Sequence, residues 1–261
     1  MKYLKKSLGQ NFLVDKNIIN KIINQVELNN RNIIEIGPGN GALTDEILKK
    51  KPKLVTVIEK DNMLAQNLKE KYSKIKNIKV FNEDILKFNI EKLNLKKSII
   101  FGNLPYNISS QILVKIINFR EWPPNFSDLV FMFQKELGEK IIINYPSLGY
   151  GRLSILSNYR LKVRNHFIIS PNCFFPRPKV KSMIIHFNPK SDRRFKIKKI
   201  SNLEKVTNIL FSNKRKMINK NIKKLLNKKK LEKIGDLNLN LRPADIKPEI
   251  YYQITELIEK D

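Results

Sequence analysis

The sequence predicts a doubly wound α/β fold with a mostly parallel, seven-stranded sheet, followed by a small helical domain. Short apolar strands alternate with helical segments from residue 32 to residue 188, the pattern of a sheet covered on both faces. A glycine-rich turn follows the first of these strands. After Pro189 the strands stop and lysine-rich helical segments begin. We therefore expect two domains, residues 1–190 and residues 191–261.

The first predicted element is a helix that begins after Asp15, which can serve as its N-cap. Apolar residues then recur at helical spacing: Ile18, Ile19, Ile22, Ile23 and Val26. The preceding segment, residues 5–13, ends in Phe12 and Leu13. These two side chains are suited to attaching the helix to the core.

The strand at residues 32–36 leads into Gly37, Gly39 and Gly41. Glycines let the backbone bend sharply and let a ligand approach the main chain. Glu35 is placed at the carboxyl end of this strand, beside the crevice in which open α/β sheets bind ligands. The turn alone leaves two other interpretations open. One is an ordinary strand-to-helix turn, and the other is a nicotinamide dinucleotide site, because the Gly-x-Gly-x-x-Ala spacing fits the relaxed dinucleotide fingerprint.

Carboxylates follow the next two strands. The strand at residues 54–58 ends in Glu59, about 20 residues beyond the glycines, where a side chain can accept hydrogen bonds from both ribose hydroxyls. The strand at residues 78–81 is followed by Asp84, which can accept a hydrogen bond from the exocyclic amine of an adenine ring. Both carboxylates are expected at the same edge of the sheet as the glycine turn.

The strand at residues 98–101 leads into the most specific motif of the chain, Asn103-Leu104-Pro105-Tyr106. The exocyclic amine of adenine is a poor nucleophile, because its lone pair is delocalised into the ring. The Asn103 side-chain oxygen and the Leu104 carbonyl are acceptors that can localise this lone pair by drawing the N–H groups out of the ring plane. Pro105 fixes the backbone direction, and Tyr106 offers a ring for stacking. A capped turn with a buried tyrosine is the alternative interpretation.

The remaining predicted elements complete the sheet and the second domain. They are helices at 109–117 (capped by Ser109) and 135–143, strands at 129–133, 162–169 and 183–187, and helices at 201–211, 216–227 and 248–258. A loop at residues 145–152 carries two tyrosines and an arginine, and either contacts RNA or is a plain surface loop. Phe174 lies among prolines, where an aromatic ring more often fills a core than supports a base.

The charge balance favours a polyanionic partner. The chain has 51 Lys and Arg residues against 24 Asp and Glu residues, a net charge of +27. Heavy lysine use could also follow from an AT-rich genome, but such a bias should favour no one segment. Residues 191–233 hold sixteen basic residues and only three acidic ones. This concentration favours a phosphate-binding surface over a merely solvated face.

Composition also excludes several classes of protein. No apolar run approaches the roughly 20 residues that span a bilayer, and the basic N-terminus leads into polar residues instead of a signal core, so we expect a cytoplasmic protein without a membrane partner. Cys173 is the one cysteine, and we expect a small buried thiol rather than a nucleophile activated by His166. Two histidines and one cysteine predict no metal site.

The motifs together resemble the class I S-adenosylmethionine-dependent methyltransferases and, within them, the ribosomal RNA adenine N6-dimethyltransferases. The resemblance covers nearly the whole chain in the family's order: Leu8-Gly-Gln-Asn-Phe-Leu13, Glu35-Ile-Gly-Pro-Gly39, Glu59, Asp84, Asn103-Leu-Pro-Tyr106 and Phe174-x-Pro-x-Pro-x-Val-x-Ser182. It is strongest to the bacterial branch that dimethylates two adjacent adenines near the 3′ end of small-subunit (16S) ribosomal RNA.

The resemblance implies S-adenosyl-L-methionine as cofactor, the small ribosomal subunit and its RNA as partner, and a role in subunit biogenesis. It implies a catalytic set of Asn103, Leu104, Pro105, Tyr106 and Phe174, with Tyr106 and Phe174 clamping the target base. It implies a cofactor set of Asn11, Leu13, Gly37, Glu59, Asp84 and Asn103, with Glu59 on the ribose and Asp84 on the adenine. We expect a monomer.

Two alternatives stay open. A large-subunit RNA adenine dimethyltransferase is disfavoured by the long basic tail. A non-catalytic ribosome-assembly factor that binds RNA is disfavoured by the intact Asn103 and Glu59.

Overall fold

The computed structural model of the chain describes residues 11–191, 194–235 and 237–260. The first three residues of the Leu8–Leu13 motif therefore lie outside the described residues. The chain divides into two compact units. The sheet unit comprises the described residues up to Gly138 together with Lys162–Pro189, and the helical unit comprises Glu139–Leu161 and the described residues from Lys190 onward.

Nine strands are described. In chain order they are β1 (Phe12–Leu13), β2 (Asn32–Ile36), β3 (Leu54–Glu59), β4 (Ile78–Asn82), β5 (Ser98–Asn103), β6 (Phe126–Gln134), β7 (Leu161–Ile169), β8 (Phe174–Phe175) and β9 (Ser182–Pro189). Seven form one sheet in the order β4-β3-β2-β5-β6-β9-β7, in which β4 to β6 are parallel and β9 runs antiparallel to β6. The predicted mostly parallel, seven-stranded sheet is confirmed. Strands β1 and β8 form a separate two-stranded antiparallel sheet.

The helices of the sheet unit follow their strands closely. They are α1 (Lys16–Ile23), α2 (Ala42–Lys49), α3 (Asn62–Lys71), α4 (Ser109–Ile117) and α5 (Lys135–Ile142), the last of which continues into the helical unit. Asp15 caps α1 as predicted, because its carboxylate accepts from the backbone N–H groups of Asn17 and Ile18 at 2.9 and 3.1 Å. Ser109 is not a cap: it is the first residue of α4, and its hydroxyl donates to the Tyr106 carbonyl at 3.1 Å.

The inner strands of the sheet are apolar on both faces because helices cover both faces. In β2 the side chains of Ile33, Ile34 and Ile36 are all buried. Strands β2 and β5 are neighbours in space, although β3 and β4 lie between them in sequence. The chain order thus reverses between β2 and β5, and open α/β sheets bind ligands at the carboxyl ends of the strands at such a point.

The helical unit has an aromatic core. Its helices are the end of α5, α6 (Arg152–Arg160), α7 (Ile200–Leu210), α8 (Asn219–Ile222), α9 (Lys228–Leu231) and α10 (Pro248–Ile258). Tyr251 is fully buried, donates its hydroxyl to the Pro243 carbonyl at 2.6 Å, and stacks on Phe211 with ring centroids 5.8 Å apart. Tyr252 donates to the Ile155 carbonyl at 3.1 Å. None of the described helices is long and apolar enough to cross a membrane.

The helical unit differs from the predicted second domain in two respects. The chain enters it at Lys190, one residue before the predicted boundary, and residues 139–161 also belong to it, since α6 packs on α7 and its Tyr159 ring lies 5.0 Å from that of Tyr252. The sequence prediction did not include α6. The predicted helix at 216–227 is also wrong, because only α8 forms there. Asn227 instead accepts from the Lys230 N–H and starts α9, as an asparagine at a helix boundary often does.

The tyrosine-containing loop does not offer both of its rings to a partner. Tyr150 is buried, and its ring meets that of Tyr145 edge-on at 5.7 Å. The Tyr145 hydroxyl donates to the Asp245 carbonyl at 3.3 Å. The two rings therefore hold the loop in shape.

Candidate active site

The glycine turn is the first part of the site. Gly37, Gly39 and Gly41 have φ angles of 68°, 61° and 82°, in the left-handed region that favours glycine. A Cβ atom added at Gly39 would lie 2.8 Å from the Phe12 ring, and one added at Gly37 would lie 3.4 Å from the Asn103 backbone oxygen. The turn is therefore closely packed between β1 and the end of β5, with its main chain exposed to a ligand.

Glu59, at the end of β3, is held by two backbone donors. Its Oε2 accepts from the Gly39 N–H at 3.1 Å, and its Oε1 accepts from the Asp61 N–H at 2.9 Å. Burial raises the pKa of this carboxyl, and the two hydrogen bonds oppose that rise. Each carboxylate oxygen can accept a second hydrogen bond. Glu59 is therefore an acceptor in a fixed position, joined directly to the glycine turn.

Asp84 follows β4 and forms an ion pair at the same edge of the sheet. Lys60 Nζ lies 2.8 Å from Asp84 Oδ2, and the Leu86 N–H donates to Oδ1 at 2.9 Å. The hydrogen bond from Lys60 holds the pKa of the Asp84 carboxyl below its ordinary value. Asp84 is thus an ionised acceptor.

The Asn103 turn is fixed at both of its ends. Asn103 Nδ2 donates to the Asn11 carbonyl at 3.3 Å, so the oxygen end of the amide is the part that can accept. The Ile108 N–H donates to the Pro105 carbonyl at 3.1 Å and closes the turn. The Tyr106 hydroxyl lies 2.6 Å from Ser182 Oγ, and burial raises the pKa of the tyrosine.

These groups meet at one cavity of about 220 Å³ at the carboxyl edge of the sheet. Eight of the ten residues predicted from the sequence line it: Asn11, Gly37, Glu59, Asp84, Asn103, Leu104, Pro105 and Tyr106. Hydrogen-bond acceptors, glycine main chain and the Tyr106 ring are therefore brought together within a single space. A larger cavity of about 460 Å³ lies at the amino ends of β2, β5 and β6 and contains none of the ten.

Leu13 and Phe174 are not at this cavity. They are cross-strand neighbours in the β1–β8 pair and belong to the hydrophobic core, with 5% and 3% of their surface exposed. The predicted clamp of Tyr106 and Phe174 is therefore not formed. Side chains alternate across a strand, so the other cross-strand pair, Phe12 and Phe175, lies on the opposite face. Phe12 lines the cavity. Once Leu13 is assigned to the core, the alternation of side chains along a strand indicates that Phe12 faces the other way.

Glu35 also departs from its predicted place. It lies behind the glycine turn with 1% of its surface exposed, and not in the cavity. Thr44 Oγ1 donates to its Oε2 at 2.6 Å, whereas its Oε1 has no hydrogen-bond partner in the described structure. Burial raises the pKa of Glu35 to about 7.

Cys173 is buried and free, as predicted, and burial raises the pKa of its thiol. Among the described residues, no three or more His, Cys, Asp or Glu side chains are grouped so that they could hold a metal ion.

Comparison with known proteins adds independent information. The family described as ribosomal RNA adenine dimethylase matches residues 1–260. The chain is 46% identical to ribosomal RNA small subunit methyltransferase A of Pelagibacter ubique over 260 residues, covering 98% of this chain and 97% of the relative. It is 36% identical to the protein of the same name from Malacoplasma penetrans, covering 97% and 91%.

Two solved structures share the fold over almost their whole length. A dimethyladenosine transferase from Plasmodium falciparum superposes with a TM-score of 0.78 at 25% identity, covering 95% of this chain and 98% of the other. The 23S rRNA methyltransferase ErmE superposes with a TM-score of 0.70 at 24% identity, covering 95% and 99%. At that identity the second match shows the fold alone.

Proposed function

Because the chain belongs to the ribosomal RNA adenine dimethylase family, we propose that it transfers methyl groups from S-adenosylmethionine to N6 of two adjacent adenines in small-subunit ribosomal RNA. It is a ribosomal RNA adenine dimethyltransferase. The observation that carries the assignment of the site is that Glu59, Asp84 and Asn103 line one cavity beside the glycine turn.

The residues at the cavity fit this cofactor. Gly37 and Gly39 expose main chain that a side chain would cover, and Glu59 offers a fixed acceptor for the ribose hydroxyls. Asp84 is suited to the exocyclic amine of the cofactor's adenine, and Asn11 and Asn103 supply further polar groups to the lining. When bound, the cofactor supplies an electrophilic methyl group on a sulfonium centre.

Activation of the target nitrogen falls to the Asn103 turn. The Asn103 side-chain oxygen and the Leu104 carbonyl accept hydrogen bonds from the two N–H groups of the target adenine. By drawing these groups out of the ring plane they localise the lone pair on the nitrogen. Acceptors fixed in advance in this way stabilise the developing charge without reorganisation. The nitrogen loses its proton only after it has attacked, so the site needs no strong base, and positioning supplies much of the rate.

Tyr106 provides a stacking face for the target base. Its hydroxyl contact with Ser182 fixes the direction of the ring, and its side chain lines the cavity. The base must leave its stack to reach this ring, which costs a few kcal/mol.

The helical unit supplies phosphate contacts in this proposal. Every described lysine and arginine between residues 194 and 233, except Lys230, is exposed. Such a surface attracts RNA without reading its sequence. We place the enzyme in the cytoplasm, where bacterial ribosomal subunits assemble, and expect it to act as a monomer.

The test is methyl transfer to unmodified ribosomal subunits. Purified protein is incubated with radiolabelled S-adenosylmethionine and either small or large subunits, and the RNA is digested to nucleosides. We expect label in N6,N6-dimethyladenosine from the small subunit, and labelling about 100- to 1,000-fold slower with the Asn103→Ala variant. Label from the large subunit alone would reassign the substrate. Binding of both cofactor and subunits without any label would favour an assembly factor.

A further inference from the structure

We propose that the exposed segment Phe175–Lys181, which we call the aromatic lip, binds the RNA strand next to the target adenine, with a base stacked on Phe175. This inference rests on the proposed function, because it assigns a surface that receives the same substrate. The stacking ring in this proposal is Phe175, and not the buried Phe174 that the sequence resemblance implied.

The register of the small sheet decides which aromatic ring is available. Leu13 pairs with Phe174, and Phe12 pairs with Phe175. The first pair faces the core, so the second pair faces outward. Phe12 lines the cavity, whereas the Phe175 side chain is 46% exposed. A single exposed apolar side chain is common on protein surfaces, so exposure alone assigns no role to Phe175. Its place beside Phe12 of the cavity, followed by exposed cations, is what indicates a binding surface.

The lip is attached at both ends to residues of the cavity. At its start, Phe175 is the cross-strand neighbour of Phe12. Just after its end, Ser182 Oγ lies 2.6 Å from the Tyr106 hydroxyl, and the Lys181 carbonyl accepts from the Lys135 N–H at 2.9 Å. Proline at positions 176 and 178 restricts the backbone between these two attachments. The segment is thus held in a defined shape and does not have to be ordered when RNA binds.

The charges of the lip match a nucleic acid strand. Arg177, Lys179 and Lys181 are all exposed, and the sequence contains no acidic residue between positions 174 and 182. An exposed ring interleaved with cations is the arrangement that binds single-stranded RNA, because bases stack on the ring and phosphates contact the cations. The target adenine must leave its stack, which leaves its neighbour unstacked and able to use such a ring.

Substitution of Phe175 tests the stacking role. Phe175→Ala should lower kcat/KM for the ribosomal substrate by about 10- to 100-fold, the range that loss of one base–aromatic stack gives. The cofactor affinity, measured by calorimetry, should stay within about twofold of the wild type, since Phe175 does not line the cavity. Phe175→Trp should retain most of the activity. Ile168→Ala is the matched control, because Ile168 is an equally exposed apolar residue of the sheet unit.

A fluorescence measurement reads stacking without methyl transfer. A short RNA carries 2-aminopurine next to the target adenine, and stacking on a ring changes its emission. Wild type and Phe175→Trp should change the emission, whereas Phe175→Ala should not. Equal signals from wild type and Phe175→Ala would overturn the proposal, as would wild-type kcat/KM in Phe175→Ala.

The cations of the lip are tested by a triple change of Arg177, Lys179 and Lys181 to Gln. The dependence of RNA affinity on salt should weaken by about two in its logarithmic slope, because each phosphate contact to a single strand contributes about 0.7. Changing Lys74, Lys76 and Lys79 to Gln removes the same charge from exposed positions before and within β4, away from the carboxyl edge. Equal slopes for the two triple variants would exclude a specific role for the lip.

Failure of this inference can be told from failure of the proposed function. If wild type methylates the small subunit and Phe175→Ala does so equally well, only the lip is wrong. If wild type methylates neither subunit, the proposed function is wrong, and the fluorescence signal still decides whether Phe175 stacks on RNA.

Discussion

At the carboxyl edge of the sheet, the side chains of Glu59, Asp84 and Asn103 are held by defined partners, whereas most lysines of the helical unit extend into solvent. Glu59 accepts from two backbone N–H groups, Asn103 donates to a backbone carbonyl, and Asp84 pairs with Lys60. Fourteen of the fifteen described Lys and Arg residues between 194 and 233 are exposed. The first region is built from a few fixed groups, and the second from many similar ones.

The two regions should therefore differ in how they tolerate substitution. A fixed acceptor acts at one position, and no neighbour can replace it, so a single substitution should remove its contribution. Exposed cations act mainly through their summed charge, and the loss of one is shared among the rest.

The largest effect is expected for Asn103→Ala. Loss of one fixed hydrogen-bonding group at a reacting centre typically lowers the rate by about 100- to 1,000-fold. RNA affinity and its salt dependence should change little, because the helical unit is untouched. The measurement compares single-turnover methyl transfer with RNA binding. Asn67→Ala, at an exposed position of α3, is the control, and an Asn103→Ala rate within fivefold of the wild type would contradict the assignment.

The next effect concerns stability and comes from Glu35. The Glu35 pKa is raised by burial from 4.5 to about 7, with Asp45 and Glu59 adding to the rise and Thr44 and Lys71 opposing it. Because the folded-state pKa is the higher one, the folded protein favours the protonated form. Stability is therefore greatest below about pH 4.5 for this group and is lost as the pH rises through about 7, by about 3 kcal/mol in all.

Glu35→Gln removes this titration and keeps the shape of the side chain. The melting temperature of the wild type relative to the variant should fall between about pH 5 and pH 8. Thermal unfolding followed by circular dichroism at several pH values measures the difference. Parallel curves would mean that Glu35 does not change protonation in this range.

Glu59→Gln should affect the cofactor specifically. A hydrogen bond to a charged group is worth about 1.5–3 kcal/mol, so cofactor affinity should fall by about 10- to 100-fold. The salt dependence of RNA binding should not change. Calorimetric titration with S-adenosylhomocysteine measures the loss, and Glu70→Gln, an exposed residue of α3, is the control. Equal losses of cofactor and RNA affinity would count against a ribose contact.

The sequence predicted the glycines and polar residues of the cavity better than the aromatic residues in and near it. Glycines, strand-end carboxylates and the Asn103 motif are fixed by the backbone of the sheet, so their positions follow from the order of the strands. Phe12 and Phe174 depend instead on a two-residue pairing between distant segments. Side-chain alternation puts Phe12 and Leu13 on opposite faces of so short a strand but does not show which face is buried. For Phe174 the neighbouring prolines favoured the core, where it lies, and only the family resemblance placed it at the site.

The same limit applies to Glu35 and to the helical unit. Glu35 and Glu59 both lie near the carboxyl ends of strands. Glu59 accepts from the Gly39 N–H and is therefore the one held at the cavity, a contact that the sequence does not show. In the helical unit, the predicted helix at 216–227 has good apolar spacing. Its asparagines compete for the backbone, and Lys220 and Lys224 repel each other at i, i+4 spacing. Hydrophobic periodicity alone does not take these local free-energy costs into account.

The smallest effect is expected for a single lysine of the helical unit. Lys223→Gln removes one exposed charge. When salt is raised from about 50 to 200 mM, the RNA affinity of the variant should fall by a factor about threefold smaller than that of the wild type, and kcat should not change. Lys220, Lys223 and Lys224 changed together should multiply this effect, because equivalent phosphate contacts add in the logarithm of affinity. Affinity titrations at four salt concentrations would measure the slopes. If Lys223→Gln alone abolished binding or slowed methyl transfer as strongly as Asn103→Ala, the lysine would be a fixed contact. The two regions would then be built on the same principle.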